Sequence, residues 1–198
     1  MKTIVLTVAV VLPTTAVARC FDFSQKVVNP LRTVPPLEKG RELREGGKSA
    51  AGRAWVGFRS QLPQPISRVL QLLLDHRYTK GEADEAIATP RKSEHYLALQ
   101  DVKFRTTPIP LVYLRWTEEW AYALSRGTPE APEEIVITYE KTEGTNFIEH
   151  MCGSIVVRRT DEGATDVYWF EEAKVTQRSA DDMQATLESI FKVMRAAG

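Results

Sequence analysis

The sequence predicts an α+β domain in which an antiparallel β-sheet is followed by a long C-terminal α-helix. Three observations carry this. Apolar residues alternate with period two through five successive segments between residues 94 and 177. The connectors "TPIP", "GTPEAPE", "EGT" and "DEGA" are short and made of turn residues, as antiparallel neighbours require. Near the end, Met183, Leu187, Ile190, Phe191 and Met194 recur at helical spacing and form one apolar stripe.

The chain starts with "MKTIVLTVAVVLPTTAVA". A lysine at Lys2, an apolar run from Ile4 to Leu12, and small residues at Ala16 and Ala18 are the layout of a cleaved secretory signal peptide. The run is shorter than the roughly 20 residues that span a bilayer. Residues 1–18 are therefore expected to be removed, leaving a periplasmic or secreted protein. Cys20 raises lipidation, but Arg19 stands where acylation needs a small residue. Residues 19–48 hold "NPLRTVPPLEKGRELREGGK", with three prolines and three glycines, and read as a flexible arm. Residues 49–198 read as the folded domain.

Within that domain, "RAWVGFRSQLP" alternates with Val56, Phe58 and Leu62 inward and ends at Pro63 and Pro65. "PISRVLQLLLDH" follows at helical spacing, with Pro65 suited to the first turn. "GEADEAIA" suggests one or two helical turns. The strands "EHYLALQDVKFRT", "VYLRWTEEWAYALSR", "EEIVITYEKTE", "TNFIEHMCGSIVVRRT" and "TDVYWFEEAKVTQ" come next. Ser179 with Asp182 three residues on resembles a capping box at the start of the final helix.

Charge excludes one class of partner. The chain has 26 basic and 26 acidic residues and no basic stripe, so nucleic acid is not expected. The histidines His76, His95 and His150 lack metal-ligand spacing, and no phosphate loop, dinucleotide fingerprint or nucleophile elbow is present. No metal and no cofactor are expected. Whether Cys20 and Cys152 pair is left open, with Cys20 in a terminus expected to be mobile.

The chemistry lies in carboxylates on apolar faces. Glu118 shares its face with Trp116, Trp120 and Tyr122; Glu171 shares one with Trp169; Glu149 has the parity of Met151, with Gly153 a candidate bulge. A dry, unpaired carboxylate costs several kcal/mol or takes up a proton. Such acids must pair with inward bases (Arg59, Arg105 and Arg115 being available), sit at a wet rim, or meet a ligand in a cavity.

Two stretches resemble a known family. "GFRSQLPQPISRVLQLLLDH" is similar to the opening of START-like (SRPBCC) proteins, where a strand ends in a proline-containing turn and the first helix runs to an Asp. "TDVYWFEEAKVTQRSADDMQATLESIFKVMRAAG" is similar to their close, where the last strand hands over to the gripping helix. The resemblance covers residues 49–198 and implies a helix-grip fold, a curved antiparallel β-sheet wrapped around the long C-terminal α-helix, holding a hydrophobic or amphipathic, lipid-like small molecule between sheet and helix. The expected ligand contacts are Trp116, Glu118, Trp120, Tyr122, Glu149, Met151, Trp169, Glu171, Met183, Leu187 and Phe191. Access requires motion of the helix or of a rim loop such as "FRTTPIP", and transient membrane contact is an expectation. Two alternatives stay open: a cyclase- or hydrolase-like enzyme using Glu118 with Glu171, and an interaction domain with a solid core.

Overall fold

A computed structural model describes residues 19–36, 41–109, 112–176 and 178–197; the expected signal peptide lies outside them. Eight strands and two helices follow in the order β1 (Leu43–Lys48), β2 (Ala54–Leu62), α1 (Ile66–Leu74), β3 (Glu85–Arg91), β4 (Ala98–Ile109), β5 (Val112–Gly127), β6 (Pro132–Gly144), β7 (Ile148–Arg159), β8 (Thr165–Val175) and α2 (Ala180–Ala196). They build one sheet in the order β1-β2-β8-β7-β6-β5-β4-β3, antiparallel throughout. Strands β4 to β8 are the expected meander, β3 extends it at the edge, and α1 carries the chain from β2 to that edge.

Each helix forms where its apolar spacing dictates. In α1, Ile66, Val69, Leu72 and Leu73 are buried. In α2, Met183, Leu187, Ile190, Phe191 and Met194 are buried against the inner face of the sheet. Both arms of the capping box are made: Ser179 Oγ accepts from the Asp182 amide, and Asp182 Oδ2 accepts from the Ser179 amide. At the other end, Gln64 Nε2 donates to the Met194 and Arg195 carbonyls, satisfying acceptors that the helix cannot satisfy itself.

Two expectations need correction. "GEADEAIA" contributes to β3, an edge strand paired with β4, because ladder bonds to β4 outweigh a weak helical propensity. Pro90 sits in it, and edge strands tolerate a missing donor. The segment 19–48 is no loose arm. Its last six residues are β1, which pairs with β2. Its first part lies on the outer face of the sheet, where Phe21 and Phe23 are buried with Tyr96, Leu99, Ala121 and Ala123. Arg19 there neutralises two buried acids, Glu119 at 2.7 Å and Glu140 at 2.8 Å. Cys20 and Cys152 form a disulfide that fastens this strap to β7. Mobility inferred from proline and glycine content failed because aromatic burial and a covalent link override it.

Candidate functional site

The inner face of the sheet carries an aligned row. Cα partners run Gln100 to Trp120 to Tyr139 to Gly153 to Glu171 to Val56, across β4, β5, β6, β7, β8 and β2. Gly153 makes the row work. A Cβ there would overlap the Tyr139 ring, so its absence lets that ring lie across β7 towards β8. Tyr139 Oη then donates to Glu171 Oε2 at 2.6 Å and accepts from Trp169 Nε1 at 2.8 Å. On its other side the ring stacks on Trp120, with centroids 4.3 Å apart.

Glu118 sits beside this row, 3% exposed. It accepts from Trp116 Nε1 at 2.6 Å through Oε1 and from Trp120 Nε1 at 2.8 Å through Oε2. Burial, aided by the negative charge of Glu171, pushes its pKa up to about 7, against the pull of the two indole donors. Burial also raises Glu171, although the Tyr139 bond and the Arg178 charge draw it back. The hydroxyl of Tyr139 is held well above its usual range by burial and by Glu171. None of the available arginines serves these acids. Arg59 pairs with Asp166 at 2.6 Å on the outer face, Arg105 pairs with Glu85, and Arg115 has no ion pair to any of the three glutamates. Two acids thus share an aromatic surround with no basic partner among the described residues.

That surround opens into a cavity of about 640 Å³ between the sheet, α2 and residues 79–83. Trp116, Glu118, Trp120, Tyr139, Trp169 and Glu171 form its sheet side; Met183, Leu187 and Ile190 of α2 face them; Phe147, Ile148, Met151 and Val175 complete the wall. Residues 79–83 close against the helix, where Gly81 lies too near Thr186 to carry a side chain without displacing it. Arg178 bridges to Glu82 at 3.5 Å across the same gap.

Eight of the eleven residues expected at the site line this cavity: Trp116, Glu118, Trp120, Met151, Trp169, Glu171, Met183 and Leu187. Three do not. Glu149 is half exposed and pairs with Lys174 at 2.5 Å, because the register slips between Ile148 and His150 and turns the extra residue outward. The slip falls there and not at Gly153, where the ladder is continuous. Tyr122 is fully buried, its hydroxyl donating to the Leu73 carbonyl at 2.9 Å and so tying β5 to α1. Phe191 packs edge-on against Phe58, 4.6 Å away, within the core under α2. Tyr139 is the polar residue of the sheet side that the sequence reading missed, as it missed the apolar wall residues Phe147, Ile148, Val175 and Ile190. Alternation through Ile135 and Ile137 places it on the inner face, but its reach to Glu171 depends on the glycine opposite.

The outer face holds a second polar cluster. His150 Nε2 lies 3.6 Å from Cys20 Sγ and 3.3 Å from Cys152 Sγ, with Arg53 at 3.1 Å. Burial and Arg53 lower the His150 pKa. With both sulfurs in the bridge, the thiolates that a metal would need are engaged elsewhere.

No family model and no curated protein matches the sequence. Solved structures do match its fold. The lipid transfer and protein localization domain of human StarD13 aligns over 83% of this chain and 87% of its own, at 7% identity and a TM-score of 0.61. A STAR-related lipid transfer protein from Xanthomonas axonopodis aligns over 78% and 97%, at 14% identity and 0.55. A START superfamily protein from Mycobacterium smegmatis aligns over 74% and 97%, at 10% identity and 0.53. What these chains share with this one is the fold: its antiparallel sheet closed by a C-terminal helix is the START-like helix-grip fold.

Proposed function

We propose that the protein binds one hydrophobic or amphipathic, lipid-like small molecule between its sheet and α2, without transforming it. The observation carrying this reading is the cavity of about 640 Å³, walled by aromatic and aliphatic side chains with two carboxyls set among them. Its volume lies inside the ~300–1,000 Å³ range of ligand pockets, and a mostly apolar wall with few polar groups is their usual composition. Lipid transfer, named for two of the similar structures, agrees with it. Affinity would come from apolar burial at roughly 25 cal/mol per Å², reduced by ordering costs. Entry would require α2, residues 79–83 or the rim at Phe104 and Thr106 to move. Exposed Tyr113 and Phe147 stand near that rim as contacts for a membrane surface. Export completes the reading: residues 1–18 have signal-peptide layout, and the Cys20–Cys152 bridge suits an oxidising compartment.

The test is native mass spectrometry of the exported protein, purified without detergent, followed by extraction and identification of what is released. A one-to-one apolar adduct supports the reading; an empty protein that also takes up no fatty acid or sterol rejects it. N-terminal sequencing of the same sample should begin at Arg19.

A second reading has its own observation. Glu118, with a pKa near 7, and Glu171, raised by burial, line one cavity from different strands, which would suit general acid–base chemistry on a bound polyketide-like or ester substrate. Turnover abolished by Glu118→Gln or Glu171→Gln, with binding retained, would establish it.

A further inference from the structure

The hydrogen-bond directions on the sheet side of the cavity restrict what polar group it can receive. Trp116 and Trp120 spend their indole N–H groups on Glu118, Trp169 spends its own on Tyr139, and Tyr139 spends its hydroxyl on Glu171. Every donor of the aromatic surround is engaged. What remains is acceptor capacity. Glu118 uses one lone pair on each oxygen, and Glu171 Oε1 has no donor among the described residues.

Charge points the same way. Among the described residues no base forms an ion pair with either acid, and the cations at the rim are committed elsewhere. Lys80 Nζ donates to the Asp84 carbonyl at 2.6 Å, and Arg178 bridges to Glu82 and donates to Thr186. Asp182, also at the rim, is held in the capping box of α2. An incoming carboxylate or carbonyl would meet acceptors; an ammonium would meet two carboxyls among four aromatic rings, the surround that favours cations.

Resting on the ligand-binding reading above, we infer that the cavity selects amphiphiles with a cationic nitrogen, received by Glu118 and Glu171 while the apolar chain lies against α2. Binding such a group draws the acids into their ionised form and supplies a direct ion-pair partner, where Arg178 acts on Glu171 only through its charge while paired with Glu82.

The test is competitive uptake at pH 8 by the disulfide-bonded chain from Arg19, using four probes with the same twelve-carbon chain: dodecyltrimethylammonium, dodecylamine, dodecanol and dodecanoate. The two cations should bind at least ~10-fold more tightly than dodecanol, and dodecanoate most weakly, on the scale of charge-assisted contacts. The preference for cation over alcohol should collapse in Glu118→Gln/Glu171→Gln. If that variant does not fold, the ranking on the wild-type chain decides alone. Lysophosphatidylcholine of equal chain length distinguishes the source of the cation. Affinity equal to that of dodecyltrimethylammonium assigns a lipid headgroup and weaker affinity a free amine; both keep the inference. Equal binding of all four probes, or dodecanoate binding best, overturns the inference and leaves the ligand-binding reading standing. Uptake of none overturns both.

Discussion

Replacing Glu118 by Gln should reshape the dependence of stability on pH. In the folded protein the carboxyl ionises near pH 7, against an ordinary value of 4.5. The fold therefore disfavours the ionised form. Below about pH 4.5 the group is protonated whether the chain is folded or not and costs nothing by this route. As pH rises towards 7 the unfolded chain ionises first, and wild-type stability falls. Above 7 the loss levels off at about 3 kcal/mol, from the interval between the two pKa values. Glutamine never ionises. At pH 4 it resembles the protonated acid: each offers one good acceptor to the two indoles of Trp116 and Trp120. The two chains should then agree within ~1 kcal/mol, and by pH 8 the variant should be more stable by ~2–3 kcal/mol. Urea denaturation at intervals from pH 4 to 8 reads the difference, and groups titrating alike in both chains cancel from it. A difference constant to within ~0.5 kcal/mol across that range would refute the claim that Glu118 is dry, lacks a cation and is strained when charged.

Other outcomes follow from the same geometry. Gly153→Ala should cost ~1–3 kcal/mol by forcing the Tyr139 ring out of its slot, and most of that cost should vanish in a Tyr139→Ala background; an unchanged cost there would deny the contact. Cys152→Ser should destabilise by up to ~5 kcal/mol, given the 132-residue separation of Cys20 and Cys152, and should speed hydrogen exchange in the strap; equal thermal midpoints would refute that role. Asp166→Asn should cost ~3 kcal/mol or more by leaving Arg59 buried without its carboxylate, as measured by chemical denaturation; a cost below 1 kcal/mol would refute it.

Period-two alternation located six of the strands, β2 and β4 to β8, and the stripe from Met183 to Met194 located α2, because burial of one face is a local property that repeats along the chain. The cavity acids followed from the same alternation: Glu118 and Glu171 break apolar faces and do point inward. Glu149 has the same parity and points outward, since a single extra residue at the register slip reverses the side, and nothing in "FIEHM" marks where it falls. The arm misled for a different reason. Phe21 and Phe23 find their partners on β4 and β5, and Cys20 finds its partner on β7, contacts too distant in sequence for any local pattern to encode. Tyr139 was hidden likewise: its role depends on an absent side chain at Gly153, on the neighbouring strand.

The central claim, an accessible cavity between sheet and helix, is tested most directly by intrinsic fluorescence. Three of the four tryptophans, Trp116, Trp120 and Trp169, line the cavity, whereas Trp55 lies outside it against Phe170. Titration with a bromine-labelled single-chain amphiphile should quench that emission saturably at one equivalent, and Leu187→Trp, which fills the space, should abolish the site. Quenching that rises linearly without saturating, and is unchanged by Leu187→Trp, would contradict it.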